Sequence, residues 1–209
     1  MDDLTRWLTE LVDAAPAWSV YLIACSVVYL ETAIVVVGLI APSEAVLIAA
    51  GVVAAIGKPN IGVLVVSCAI AALAGDTTGY WLGRAGGPRF MKTKIGHRMV
   101  RRTRRSGYHP PGAKDAFIAV AAARWVSYVR SVSPLLAGSR RMPYRRYAVA
   151  TAVGGTTWSA TILLVSYGVG ATLGAKVALV VVVCVAGLAL LVLLIRRLMA
   201  HRAVADERG

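Results

Sequence analysis

The chain has 209 residues, of which 58% are hydrophobic and 16% charged, with a mean hydropathy of +0.69. So much aliphatic surface exceeds what one soluble core of this size can enclose, which excludes an ordinary water-soluble domain and points to an integral membrane protein. A net charge of +13 would suit nucleic acid, but the basic residues gather beside apolar boundaries, where positive-inside topology accounts for them.

Taken in chain order, the first segment, MDDLTRWLTELVD, opens with acids where a secretory signal needs a basic region. Leu4, Trp7, Leu8 and Leu11 fall at helical spacing, which predicts an interfacial amphipathic helix over residues 1–16, with a frayed tail as the alternative. Apolar runs long enough to cross a hydrocarbon core of about 30 Å follow at 18–40, 61–82, 147–169 and 176–195. Two further apolar stretches, 41–56 and 116–138, are interrupted by Pro42 and Pro134. Neither suits a continuous span.

Between 84 and 114 the chain carries ten basic residues and no acid, and smaller basic clusters occupy 140–146 and 196–202. If the proline-broken segments dip into the bilayer and return, one from each face, all three clusters share the cytoplasmic side with both termini. Reading them as full spans puts the loop 84–115 outside. The expected fold is therefore an all-α integral membrane bundle of about four spans and two opposed re-entrant hairpins, resembling an inverted repeat, over residues 17–198 with a cytoplasmic tail at 199–209. The two halves share an order: both run Pro, then Ala-Gly (Ala50-Gly51, Ala137-Gly138), then a Gly-rich Thr-Thr stretch. Cys25, Cys68 and Cys184 lie far apart in apolar runs, and His97, His109 and His201 lie in basic loops or the tail. Those placements predict no metal and no cofactor.

From Pro16 to Lys114 the only acids are Glu31, Glu44 and Asp76, each in or beside an apolar stretch. An ionised side chain at membrane depth costs several kcal/mol (about 2.5–3.5 on insertion scales) and so marks an ion or substrate path. Arg124 and Arg130 lie in the second broken segment, ARWVSYVRSVSP, and the expectation is that acids of one half meet arginines of the other. Plainer readings stay open: Glu31 as a helix-helix hydrogen bond, Asp76 as a structural ion-pair partner, and the arginines as side chains that snorkel to the interface.

The ordered set of PSE at 42–44, AAG at 49–51, GDTTGYWLGRAGG at 75–87 and RWVSYVRSVSPLLAG at 124–138, followed by Met142 and Trp158, resembles the DedA family of bacterial inner-membrane proteins, relatives of the VTT-domain lipid scramblases. The resemblance covers about 31–170. It implies recycling of a polyprenyl phosphate carrier lipid across the bacterial cytoplasmic membrane, coupled to the proton motive force. By position it implies Glu31, Glu44 and Asp76 as proton-coupling acids, and Arg124 and Arg130 as ligands of the phosphate. Pro42, Ser43, Gly51, Gly75, Gly79, Pro134 and Gly138 fall on the break and motif positions. Ser43 and Ser127 depart from the family's usual Gly and Pro, which touches the geometry of both re-entrant tips.

The partners implied are an anionic lipid, protons and the membrane, without nucleic acid. A non-selective phospholipid scramblase and a proton-coupled exporter of small cations remain alternatives. An enzyme is not expected, since no nucleophile sits beside an evident general base. Ala186, Gly187 and Ala189 suit helix packing across a homodimer or within one chain.

Overall fold

The computed structural model describes residues 16–35, 43–57, 59–90, 97, 101, 116–172 and 187. The expectations for residues 1–15, for most of the basic loop, for the run 176–195 and for the tail lie outside these. Within the described residues the chain is all-helical: α1 Ala17–Ala33, α2 Ser43–Ile56, α3 Ile61–Phe90, α4 Ala116–Ala123, α5 Ser127–Ser139 and α6 Tyr144–Thr172.

Two of these helices, α3 over Ile61–Gly86 and α6 over Tyr144–Thr172, are long and apolar enough to cross a membrane. Only 28% and 39% of their apolar windows are buried within the protein, unlike the core helices of a soluble domain. The outer faces carry Trp18, Leu22, Ile23, Val66, Ile70 and Val165, all more than half exposed. A surface of that kind is stable in hydrocarbon rather than in water.

Helix α1 is shorter than the run 18–40 suggests. It starts after Pro16, whose carbonyl takes the Ser19 N–H and hydroxyl, and it ends at Ala33, with Ile34 extended at φ −117°. Val35 is helical again, so the run 18–40 is interrupted at Ile34. Conversely, α3 continues beyond residue 82 to Phe90, into what the sequence suggested as loop. Its start is fixed by Asn60, whose Oδ1 accepts the Val63 N–H at 3.1 Å and whose own N–H reaches the Tyr21 hydroxyl at 2.6 Å.

The second broken segment is interrupted elsewhere than at Pro134. Helix α4 ends in a turn at residues 124–126, with Val126 extended (φ −108°), and Pro134 lies inside α5. A proline in a helix leaves the carbonyl four residues back without its donor. Here that carbonyl belongs to Arg130, and the Ser133 hydroxyl donates to it at 3.3 Å. The proline ring itself rests against Gly79 of α3. The break is thus displaced upstream to the residues flanking Arg124.

Helix α3 is the axis of the bundle. Gly75, Gly79 and Gly83 recur every four residues along one face, where a Cβ would meet Thr32 and Tyr29 of α1, then Pro134 and Leu135 of α5. Backbones approach this closely only where side chains are absent. From the α5 side, Gly138 lies against the Tyr80 carbonyl and the Arg84 N–H in the same way. One apolar cluster joins Ala24, Val28, Leu47, Ala54, Leu64, Cys68 and Leu163. A second joins Tyr80, Val120, Ala137, Tyr147 and Ala150, with Tyr80 and Tyr147 stacked at 5.0 Å. Polar side chains fill the level between these clusters.

Adding one methyl separates packing from helix propensity. Gly75→Ala drives a Cβ into Thr32 and should destabilise the protein by about 1–3 kcal/mol. Gly86→Ala meets open space and should be neutral or stabilising by up to about 1 kcal/mol. Thermal unfolding in detergent checks both.

Candidate functional site

The level between the apolar clusters is set by chain geometry. Asp76 follows Gly75 on the buried face of α3, Glu31 follows Val28 by one turn of α1, and Glu44 is the second residue of α2. Across from them the 124–126 turn presents Arg124, and the first turn of α5 presents Arg130. Both arginines and Asp76 have no solvent exposure, and Glu31 has 1%.

Two clusters result, each pairing an arginine with carboxylate. Arg124 Nη1 donates to Asp76 Oδ1 at 2.6 Å. The other carboxylate oxygen of Asp76 receives the Thr151 hydroxyl, and the Asp76 backbone carbonyl receives the Tyr147 hydroxyl at 3.4 Å. Gly154 and Gly155 of α6 make room for the Arg124 side chain, since a Cβ on Gly154 would lie 2.8 Å from Arg124 Cγ. This pair is closed on all sides by α3, α4 and α6.

Arg130 is arranged differently. Its Nη2 is shared by two carboxylates, in close contact with Glu31 and at 2.9 Å from Glu44. Its guanidinium carbon lies 4.0 Å from the centroid of the Trp158 ring, a cation-π contact that strengthens when water is absent. Glu31 also accepts the backbone N–H of Ser43 at 3.2 Å, which ties α1 to the first residue of α2. Glu44 keeps 30% of its side chain exposed, so this cluster has one open side.

The two guanidiniums retain unused donors. Nε and Nη1 of Arg130, Nε and Nη2 of Arg124, and the Ser43 hydroxyl are buried without a hydrogen-bond partner among the described residues. An unmade buried hydrogen bond costs about 1–3 kcal/mol, more for a charged group. Such donors call for an oxygen-rich partner, either water or an anion.

Thus the structure brings together all five charged residues expected at the site, and pairs acids of the first half with arginines of the second. Ser43 joins them, while Pro42 lies outside the described residues. Gly51, Gly75, Gly79 and Gly138 act in helix packing. The contacts of Thr151, Tyr147 and Trp158 with the charged groups were not foreseen. Their signal is a stripe on α6 at 147, 151, 154–155 and 158, polar, small or aromatic at helical spacing.

Removing one partner of a buried pair leaves the other uncompensated. Asp76→Asn should cost about 3–5 kcal/mol, and the Asp76→Asn/Arg124→Gln double variant should cost less than the sum of the singles. A double-mutant cycle by thermal unfolding measures the coupling.

Residues 41–168 match the family model described as VTT domain. Neither the curated proteins nor the solved structures provide a match.

Proposed function

Because the chain belongs to the VTT-domain family, that of the DedA and SNARE-associated membrane proteins, we propose that it moves an anionic lipid across the bilayer, foremost a polyprenyl phosphate carrier lipid, in a step coupled to proton movement. The observation that carries this reading is Arg130: a fully buried guanidinium, shared by Glu31 and Glu44, with two donors left over. Guanidinium forks bind phosphate oxygens bidentately. A phosphate head can therefore take the place of the carboxylates, provided the carboxylates give up their claim.

Protons supply that condition. With Glu31 and Glu44 ionised, Arg130 is satisfied by its own protein and the head group is expelled. With one or both protonated, Arg130 turns its donors to the phosphate. Protonation from one side of the membrane and release on the other then links transport to the gradient. In this scheme Asp76 with Arg124 is the more enclosed pair, and it holds the break between α4 and α5 in register with α3.

Topology follows the same reading. Helices α4 and α5, with 8 and 13 residues, extend about 12 and 20 Å at 1.5 Å per residue, each less than a bilayer core. They would enter as a re-entrant pair, with irregular backbone at 124–126 lining the polar cavity. The segment 41–56, which contains α2, would form the opposed one, placing the basic segment 140–146 and both termini on the cytoplasmic side of a bacterial inner membrane.

Reconstitution into proteoliposomes tests the assignment. Arg130→Lys keeps the charge but loses the fork, and transport of polyprenyl phosphate should fall about 10–100-fold, the worth of one charge-assisted hydrogen bond. Retention of wild-type rate in Arg130→Lys contradicts phosphate recognition and favours a cation exporter built on the acids. Equal movement of a neutral phospholipid would instead make the protein a non-selective scramblase.

A further inference from the structure

Beside the charged site, between α2 and α6, lies an apolar groove of about 270 Å³, lined by Ile48, Val52, Ile162, Val165 and Val169 with Thr161 and Ser166. Its two hydroxyls do not make it polar. Thr161 donates to the Thr157 carbonyl at 2.7 Å and Ser166 to the Ile162 carbonyl at 2.7 Å, so both are spent on their own helix. Val165 is 61% exposed, which leaves the groove open sideways, toward the lipid.

The register of the two helices aligns this groove with the charged site. Gly51 lies against Leu163, Ser166 and Tyr167, while Gly170 lies against Val52 and Ala55, so α2 and α6 run parallel in close contact. On α2, Glu44, Ile48 and Val52 follow at intervals of four on one face. On α6, Trp158, Ile162, Val165 and Val169 do the same at intervals of four, three and four. The first residue of each row, Glu44 and Trp158, touches Arg130. The remaining residues of both rows line the groove, which extends about 12 Å beyond Glu44 along α2.

We propose that this groove holds the aliphatic chain of the same lipid whose anionic head engages Arg130. The assignment rests on the head-group reading above and adds what that reading leaves open, the route of the tail. A buried cation with unused donors at one end, continuous with an apolar channel open to the side, matches an amphiphile with one anionic head. It gives a neutral chain no anchor. The head crosses through the polar level while the tail stays in hydrocarbon contact, guided along α2 and α6.

Photolabelling of the full chain in nanodiscs tests this, with hexadecyl phosphate bearing a diazirine midway along its chain. Adducts should concentrate on residues 48–52 and 161–169 and fall about tenfold in Val165→Trp and in Ile48→Trp, which fill the groove from α6 and α2. Unchanged melting temperatures without ligand verify folding. Adducts spread over the outer helix faces, adducts undiminished in both variants, or equal labelling of the groove by the corresponding diazirine alcohol would each overturn the assignment. Butyl phosphate, too short to fill the groove, should raise the melting temperature of the wild type but not of Arg130→Gln. If it stabilises the wild type while the groove pattern fails, only the groove assignment falls; if it fails to stabilise the wild type, the head-group reading falls and takes the groove assignment with it.

Discussion

A guanidinium cannot be neutralised by losing its proton at any physiological pH, so an arginine buried among apolar helices must be matched by something else. This protein buries two, Arg124 and Arg130, both without solvent exposure, and the arrangement of the bundle answers to them. Glu31 comes from α1, Glu44 from α2 and Asp76 from α3, with Thr151 and Trp158 from α6 completing the surround. Five helices converge on one polar level. Helices α1 and α5 reach it because α3 presents Gly75, Gly79 and Gly83 to them, so that the backbones approach closely.

The interruption of the α4–α5 segment belongs to the same constraint. In a continuous helix, residues 124 and 130 are six apart and point to different faces. The turn at 124–126 lets Arg124 reach Asp76 while Arg130 reaches Glu31 and Glu44. Carboxylates outnumber guanidiniums in these pairs by three to two. With all of them ionised the cluster repels an added anion, and proton uptake removes that repulsion. In the proposed function, transport of an anionic head group and movement of protons become two aspects of one charge balance.

Much of this was readable from the sequence because charges inside apolar runs are rare and costly. Glu31, Glu44, Asp76, Arg124 and Arg130 stood out on that ground alone, and opposite signs in the two halves indicated that they would meet. Spans α3 and α6 were legible from apolar length. The break at 124–126 was not, because Pro134 is the stronger local signal and only the Ser133 hydroxyl, one residue before it, shows how the helix tolerates it. The partition of acids between the two arginines was equally hidden, since it depends on helix register. The groove between α2 and α6 needed the parallel packing at Gly51 and Gly170, which no periodicity within either helix reveals.

The competition of phosphate and carboxylate for Arg130 is the central claim, and proton uptake on ligand binding tests it most directly. The purified protein would be titrated with an alkyl phosphate near neutral pH in buffers of different ionisation enthalpy, so that calorimetry yields the protons exchanged per head group bound. The account predicts net uptake by the protein, abolished in the Glu31→Gln/Glu44→Gln double variant while binding persists. Binding of the phosphate with no proton uptake in the wild type would contradict it.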